Sequence, residues 1–128
     1  MIRAQIDAVL SDIRIDAIKI GMLATPAVID AVADGLADFR GPIVLDPVMV
    51  AKSGDALLQD DAVSCLIDRL LPRASLLTPN IPEAERLLSG KGDLTPQEQG
   101  KALLALGPAA ILMKGGHADG AICHDYLV

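Results

Sequence analysis

Aromatic side chains are almost missing from this chain of 128 residues, which has one Phe, one Tyr and no Trp. Platforms on which nucleic-acid bases stack depend on such rings, so that mode of binding is argued against. Basic residues are outnumbered, 11 against 17 acidic ones, for a formal net charge of −6. No Lys/Arg cluster stands out, and neither nucleic acid nor an anionic membrane is expected as a partner. The two cysteines, Cys65 and Cys123, lie far apart and form no Cys-x-x-Cys pair, which removes a zinc ribbon and a disulfide scaffold. No apolar run approaches the roughly 20 residues that cross a bilayer. The start shows an amphipathic pattern instead of a basic segment and an apolar block, so no signal peptide is expected. Together these absences predict a cytoplasmic protein.

What is present is a composition of 52% hydrophobic and 22% charged residues, the balance of a globular domain whose interior is built from Leu, Ile, Val and Ala. The length predicts one domain over 1–128. Ile2, Ile6, Val9, Leu10 and Ile13 recur at helical spacing, and a short β run follows at 17–20. Thr25-Pro26 marks a helix start, and the helix runs through Val28, Val32 and Leu36. Ile43-Val44-Leu45 reads as a buried strand closed by Asp46-Pro47. Asp60 or Asp61 is the expected cap of a helix with the stripe Val63, Leu66, Ile67, Leu70 and Leu71, on which Cys65 is expected to be buried and inert. Leu76-Leu77-Thr78 is a strand, and Asn80 starts a helix through Ala84, Leu87 and Leu88. A polar turn at 90–93 precedes a capping box, Thr95-Pro96-Gln97-Glu98, and a helix to about Leu106. Strands at 109–113 and 121–128 complete the pattern. Short apolar strands alternating with helices predict an α/β fold, a mostly parallel sheet with helices on both faces. The apolar run at 126–128, without turn or cap, suggests a cut chain.

Three junctions between an apolar run and Pro or Gly carry most of the chemistry. In a parallel α/β sheet such junctions are the carboxyl ends of strands, where ligands bind, so Asp46, Asn80, Glu83 and Lys114 are expected to face one crevice. Asp46 is placed to hold a metal or its waters, or simply to turn the chain. Asn80 and Glu83, three apart, share a helix face. Read alone, they form a capping box. Lys114 is a compact cation suited to phosphate oxygens, and Gly115-Gly116 after it would let a ligand approach the backbone; the alternative is an exposed Lys before a glycine turn. Met22 follows a strand and could line the same edge or fill core. His117 and His124 lack partners at zinc spacing. Lys52-Ser53-Gly54 does not follow the order Gly-x-x-x-x-Gly-Lys-Ser/Thr, so this is no Walker A loop.

Taken together, the segments 20–23 (IGML), 45–58 (LDPVMVAKSGDALL), 76–88 (LLTPNIPEAERLL) and 112–117 (LMKGGH) closely resemble the hydroxymethylpyrimidine/phosphomethylpyrimidine kinases of thiamine biosynthesis, which have the ribokinase-like fold. The resemblance implies a truncated three-layer α/β/α domain that uses ATP and Mg²⁺ to phosphorylate 4-amino-5-hydroxymethyl-2-methylpyrimidine and its monophosphate. It implies that Asp46 and Glu83 organise the metal, that Asn80, Lys114 and Gly115 bind the nucleotide, and that Met22 and Val48 contact the pyrimidine. A homodimer is implied for the full-length family member. The family's N-terminal glycine-rich segment and its C-terminal Gly-Thr-Gly-Cys-type anion-hole loop are not matched. No catalytic residue is therefore assigned, and the chain is expected to be inactive alone.

Three other readings compete. A pyridoxal kinase of the same superfamily is the nearest. A remnant that binds nucleotide without catalysis is the second. The third is a receiver-type phospho-acceptor domain, which Asp46, Thr78 and Lys114 imitate; it lacks support because Lys19-Ile20-Gly21 stands where an acidic pair would be expected.

Overall fold

The computed structural model describes residues 1–49, 58–90, 93–115 and 122–128. Expectations at Lys52-Ser53-Gly54, Gly116 and His117, residues 91–92 of the turn at 90–93, and the start of the last strand at 121 fall outside these residues. Helix α1 (Ile2–Asp12) leads to β1 (Ile18–Ile20), α2 (Pro26–Gly35), β2 (Ile43–Leu45) and α3 (Asp60–Arg69). A 3-10 turn at Leu71–Arg73, β3 (Leu76–Leu77), α4 (Ile81–Leu87), α5 (Pro96–Leu104), β4 (Leu112–Met113) and β5 (Tyr126–Leu127) follow.

β1, β2 and β3 lie side by side and parallel. Parallel bridges Leu77–Ile111 and Asn80–Lys114 bring the β4 segment beside β3. β5 returns antiparallel to β4, with Val128 and Ile111 exchanging both backbone hydrogen bonds at 2.7 and 2.9 Å. The α/β, mainly parallel architecture expected from the sequence is the one observed. The last strand is shorter than the expected 121–128 and antiparallel.

Burial across the sheet is uneven. Ile20, Ile43, Leu45 and Leu77 share one face by register and are buried. On the other face Lys19 is exposed, and Val44 and Leu76 are half-buried. The connections β1-α2-β2 and β2-α3-β3 step the same way along the sheet, and right-handed crossovers then put α2 and α3 on one face. α2 packs against both α1 and α3.

The helix starts follow local chemistry. Thr25 Oγ1 accepts the Val28 N–H and Thr95 Oγ1 the Glu98 N–H, each with Pro at the first helical position. At Thr95 this is the single cap bond observed, half of the expected box. α3 differs more: its N-cap is Gln59, and Asp60 and Asp61 lie in the first turn. Carboxylates there favour the helix dipole, and Asp61 Oδ1 accepts the Ala62 N–H at 2.9 Å from inside the first turn instead of from the cap position. Arg73 donates from Nη2 to the carbonyls of Leu36 and Phe39, both 2.9 Å away, closing the end of α2.

Candidate functional site

Asp46 is the first residue past β2. Its N–H donates to the Ile20 carbonyl at 2.9 Å, and its own carbonyl accepts the Val48 N–H at 2.9 Å, so the chain turns tightly at Pro47. The bonds from Thr78 N–H to Leu45 and from Lys114 N–H to Pro79 tie the next two strand ends into the same edge. Asp46, the Asn80–Glu83 pair and Lys114, from three segments far apart in sequence, are thereby placed at neighbouring positions.

Asn80 caps α4 in a complete reciprocal box: its Oδ1 accepts the Glu83 N–H at 2.8 Å, and Glu83 Oε1 accepts the Asn80 N–H at 2.9 Å. The cap expected from the sequence is therefore real. Glu83 is also 8% exposed, unusual for a carboxylate. Burial pushes the Glu83 carboxyl above its ordinary value, and the Asp46 charge adds to that. The Asn80 amide, the Lys114 ammonium and the Met49 amide pull it the other way, and burial outweighs them.

Lys114 Nζ stands 3.5 Å from Asp46 Oδ1, with the two side chains 39% and 21% exposed. At that distance and exposure the pair is loosely held and contributes little to stability. Both the ammonium and the carboxylate keep part of their surface in solvent.

Asp46, Asn80, Glu83 and Lys114 thus converge as expected. Val48 is half-buried just after the Pro47 turn, and Met22 lies past β1 with 56% of its surface exposed. Gly115 is packed tightly against the returning chain. A Cβ there would sit 1.7 Å from the His124 carbonyl oxygen, and the Gly115 N–H already donates to Asp125 Oδ1 at 2.8 Å. Close packing against its own chain is enough to require glycine at this position. Cys65 is half-buried instead of buried; its thiol donates to Asp30 Oδ1 at 3.5 Å. Burial, then this carboxylate, push the thiol up, so the inertness expected of it has a cause.

Sequence reasoning missed Met49, whose backbone amide has no side-chain signature, and Asp125, which no motif marks. No group of three or more metal-ligating side chains occurs among the described residues. An apolar groove of about 530 Å³ lies between α1 and β1, lined by Ile6, Leu10, Ile18 and Leu23 among others, and includes none of the four converging residues. No helix among the described residues is long and apolar enough to cross a membrane.

A family model described as phosphomethylpyrimidine kinase matches residues 1–128. A hydroxymethylpyrimidine/phosphomethylpyrimidine kinase of Escherichia coli is 52% identical over 98% of the chain and 49% of its own length. Among solved structures, a phosphomethylpyrimidine kinase from Clostridium difficile is 42% identical with a TM-score of 0.85, over 98% of this chain and 55% of that one. A pyridoxal kinase from Staphylococcus aureus in complex with AMP-PCP is 33% identical with a TM-score of 0.82, over 98% and 46%. The chain spans about half the length of the curated relatives it matches.

Proposed function

Because the chain belongs to the phosphomethylpyrimidine kinase family, we propose that Asp46, Asn80, Glu83 and Lys114 form the metal and phosphate end of a kinase site. In this proposal the site moves the γ-phosphoryl group of ATP to the hydroxymethyl oxygen of 4-amino-5-hydroxymethyl-2-methylpyrimidine, and then a second one to the monophosphate. The observation that carries it is the convergence of the Lys114 ammonium, 3.5 Å from Asp46, with a buried Glu83 on the carboxyl edge of a parallel sheet.

The donor set suits Mg²⁺. Asp46 and Glu83 offer hard carboxylate oxygens, and two carboxylates with the remaining positions left to water and phosphate is this ion's habit. Glu83, held above its ordinary value by burial, is also a group that a nearby cation would favour in its charged form. When bound, Mg²⁺ supplies neutralisation of phosphate charge. Lys114 places a point charge against the phosphate oxygens. Asn80 fixes the first turn of α4 and with it the Glu83 carboxylate. Met22 and Val48 would contact the pyrimidine. No residue of the 128 is assigned to take the hydroxyl proton, and binding without turnover is expected of this chain alone.

Calorimetric titration with ATP, with and without Mg²⁺, tests the site. Mg²⁺-dependent binding is expected, weakened about tenfold in Lys114→Ala and in Asp46→Asn, as for loss of a charge-assisted contact. Binding indifferent to Mg²⁺ and to both substitutions would overturn the assignment. The likeness to pyridoxal kinases makes pyridoxal the comparison ligand: a pyrimidine that binds the nucleotide-loaded chain more tightly than pyridoxal supports the pyrimidine assignment, and the reverse order replaces it.

A further inference from the structure

We propose that Arg86 is a positioning residue for this site, holding Leu58 and Met49 against α4 so that the Asp46 and Glu83 carboxylates keep their separation. Arg86 and Glu83 lie three apart on α4 and so share a helix face. The Met49 amide is one of the groups that pull the Glu83 carboxyl down. Arg86 Nη2 donates to the Leu58 carbonyl at 2.5 Å. The Leu58 N–H in turn donates to the Met49 carbonyl at 3.3 Å. Met49 and Leu58, on either side of residues 50–57, are therefore joined to each other, and Leu58 ties the pair to α4 through Arg86. Met49 is three residues past Asp46 and only 1% exposed, so any shift of Met49 is passed to the Asp46-Pro47 turn.

A simpler role would be a brace between α4 and α3, since the same Arg86 nitrogen lies 3.0 Å from Asp60 Oδ1. The Asp60 side chain is fully exposed while that of Arg86 is 28% exposed. An exposed ion pair adds little, whereas a charged donor on a part-buried carbonyl is one of the stronger hydrogen bonds. The carbonyl contact therefore dominates, and it points along the chain toward Met49.

The test compares the unsubstituted chain with Arg86→Ala, Arg86→Lys and Asp60→Asn by amide hydrogen exchange, and then by Mg²⁺-ATP titration. In Arg86→Ala the Leu58 and Met49 amides should exchange about tenfold faster while Leu45 and Leu77 keep their protection. Mg²⁺-ATP affinity should fall by a similar factor. Arg86→Lys, which still reaches one carbonyl, should recover part of both, and Asp60→Asn should change neither. Arg86→Met keeps the aliphatic stem and replaces Arg86→Ala if that variant does not fold. Unchanged exchange at Met49 on loss of Arg86, or an equal effect of Asp60→Asn, would reduce Arg86 to a brace. The titration arm rests on the proposed function. If the unsubstituted chain binds no Mg²⁺-ATP, that function fails, and the exchange comparison alone decides whether Arg86 positions Met49.

Discussion

Glu83 holds two roles that oppose each other energetically. Its carboxylate completes a helix cap, which stabilises α4, yet it does so where only 8% of the residue meets solvent. The folded protein therefore binds the Glu83 proton more tightly than the unfolded chain, whose value stays near 4.5. Stability from this group is fully present below about pH 4.5 and is lost as pH rises through the raised folded value. In Glu83→Gln no such proton exists, while the amide oxygen can still accept the Asn80 N–H. With chelator present, urea denaturation across this range should show the variant gaining on the unsubstituted chain as pH rises toward neutrality. A difference that stays flat would mean that Glu83 does not titrate there.

At the level of elements, the β4–β5 pair closes over Gly115, and the space beside its α-carbon belongs to the His124 backbone. Gly115→Ala must push 122–128 away, because a backbone carbonyl cannot swing aside as a side-chain tip can. The expected cost is about 2 kcal/mol or more, seen in urea denaturation together with loss of exchange protection at Val128. A variant of full stability with Val128 protected would contradict this packing. No pattern in the sequence announces that closure, because it depends on a chain segment returning from elsewhere. The start of α4 was legible because Asn80 and Glu83 state a cap within four residues. The start of α3 was not, because Gln59 takes the extended capping conformation ahead of two aspartates that are commoner caps. The strand ends and their polar residues could be located, but the meeting of Asp46 and Lys114, 68 residues apart, follows from strand order and could be inferred only from the parallel class of sheet.

For the whole molecule, burial is one-sided. Among the described residues β1 pairs only with β2, its outer edge runs beside an apolar groove, and Ile2, Val9, Ile13 and Met22 are exposed nearby in sequence to α1 or β1. An open apolar edge is a template for pairing with another chain. Sedimentation velocity should therefore show the chain self-associating as its concentration rises, and a substitution of Ile18 by Lys, which places a charge on that edge, should shift it toward monomer. A concentration-independent monomer would mean that the edge is protected. The bridge between Asn80 and Lys114 has a kinetic meaning as well. Its partners come from the third and fourth segments of the sheet, and Asp46 from the second, so the cluster of Asp46, Asn80, Glu83 and Lys114 cannot exist in any half-zipped intermediate. Contacts of such long sequence separation form slowly. An anion held there would report the last step of folding, and by mass action would pull the chain through it.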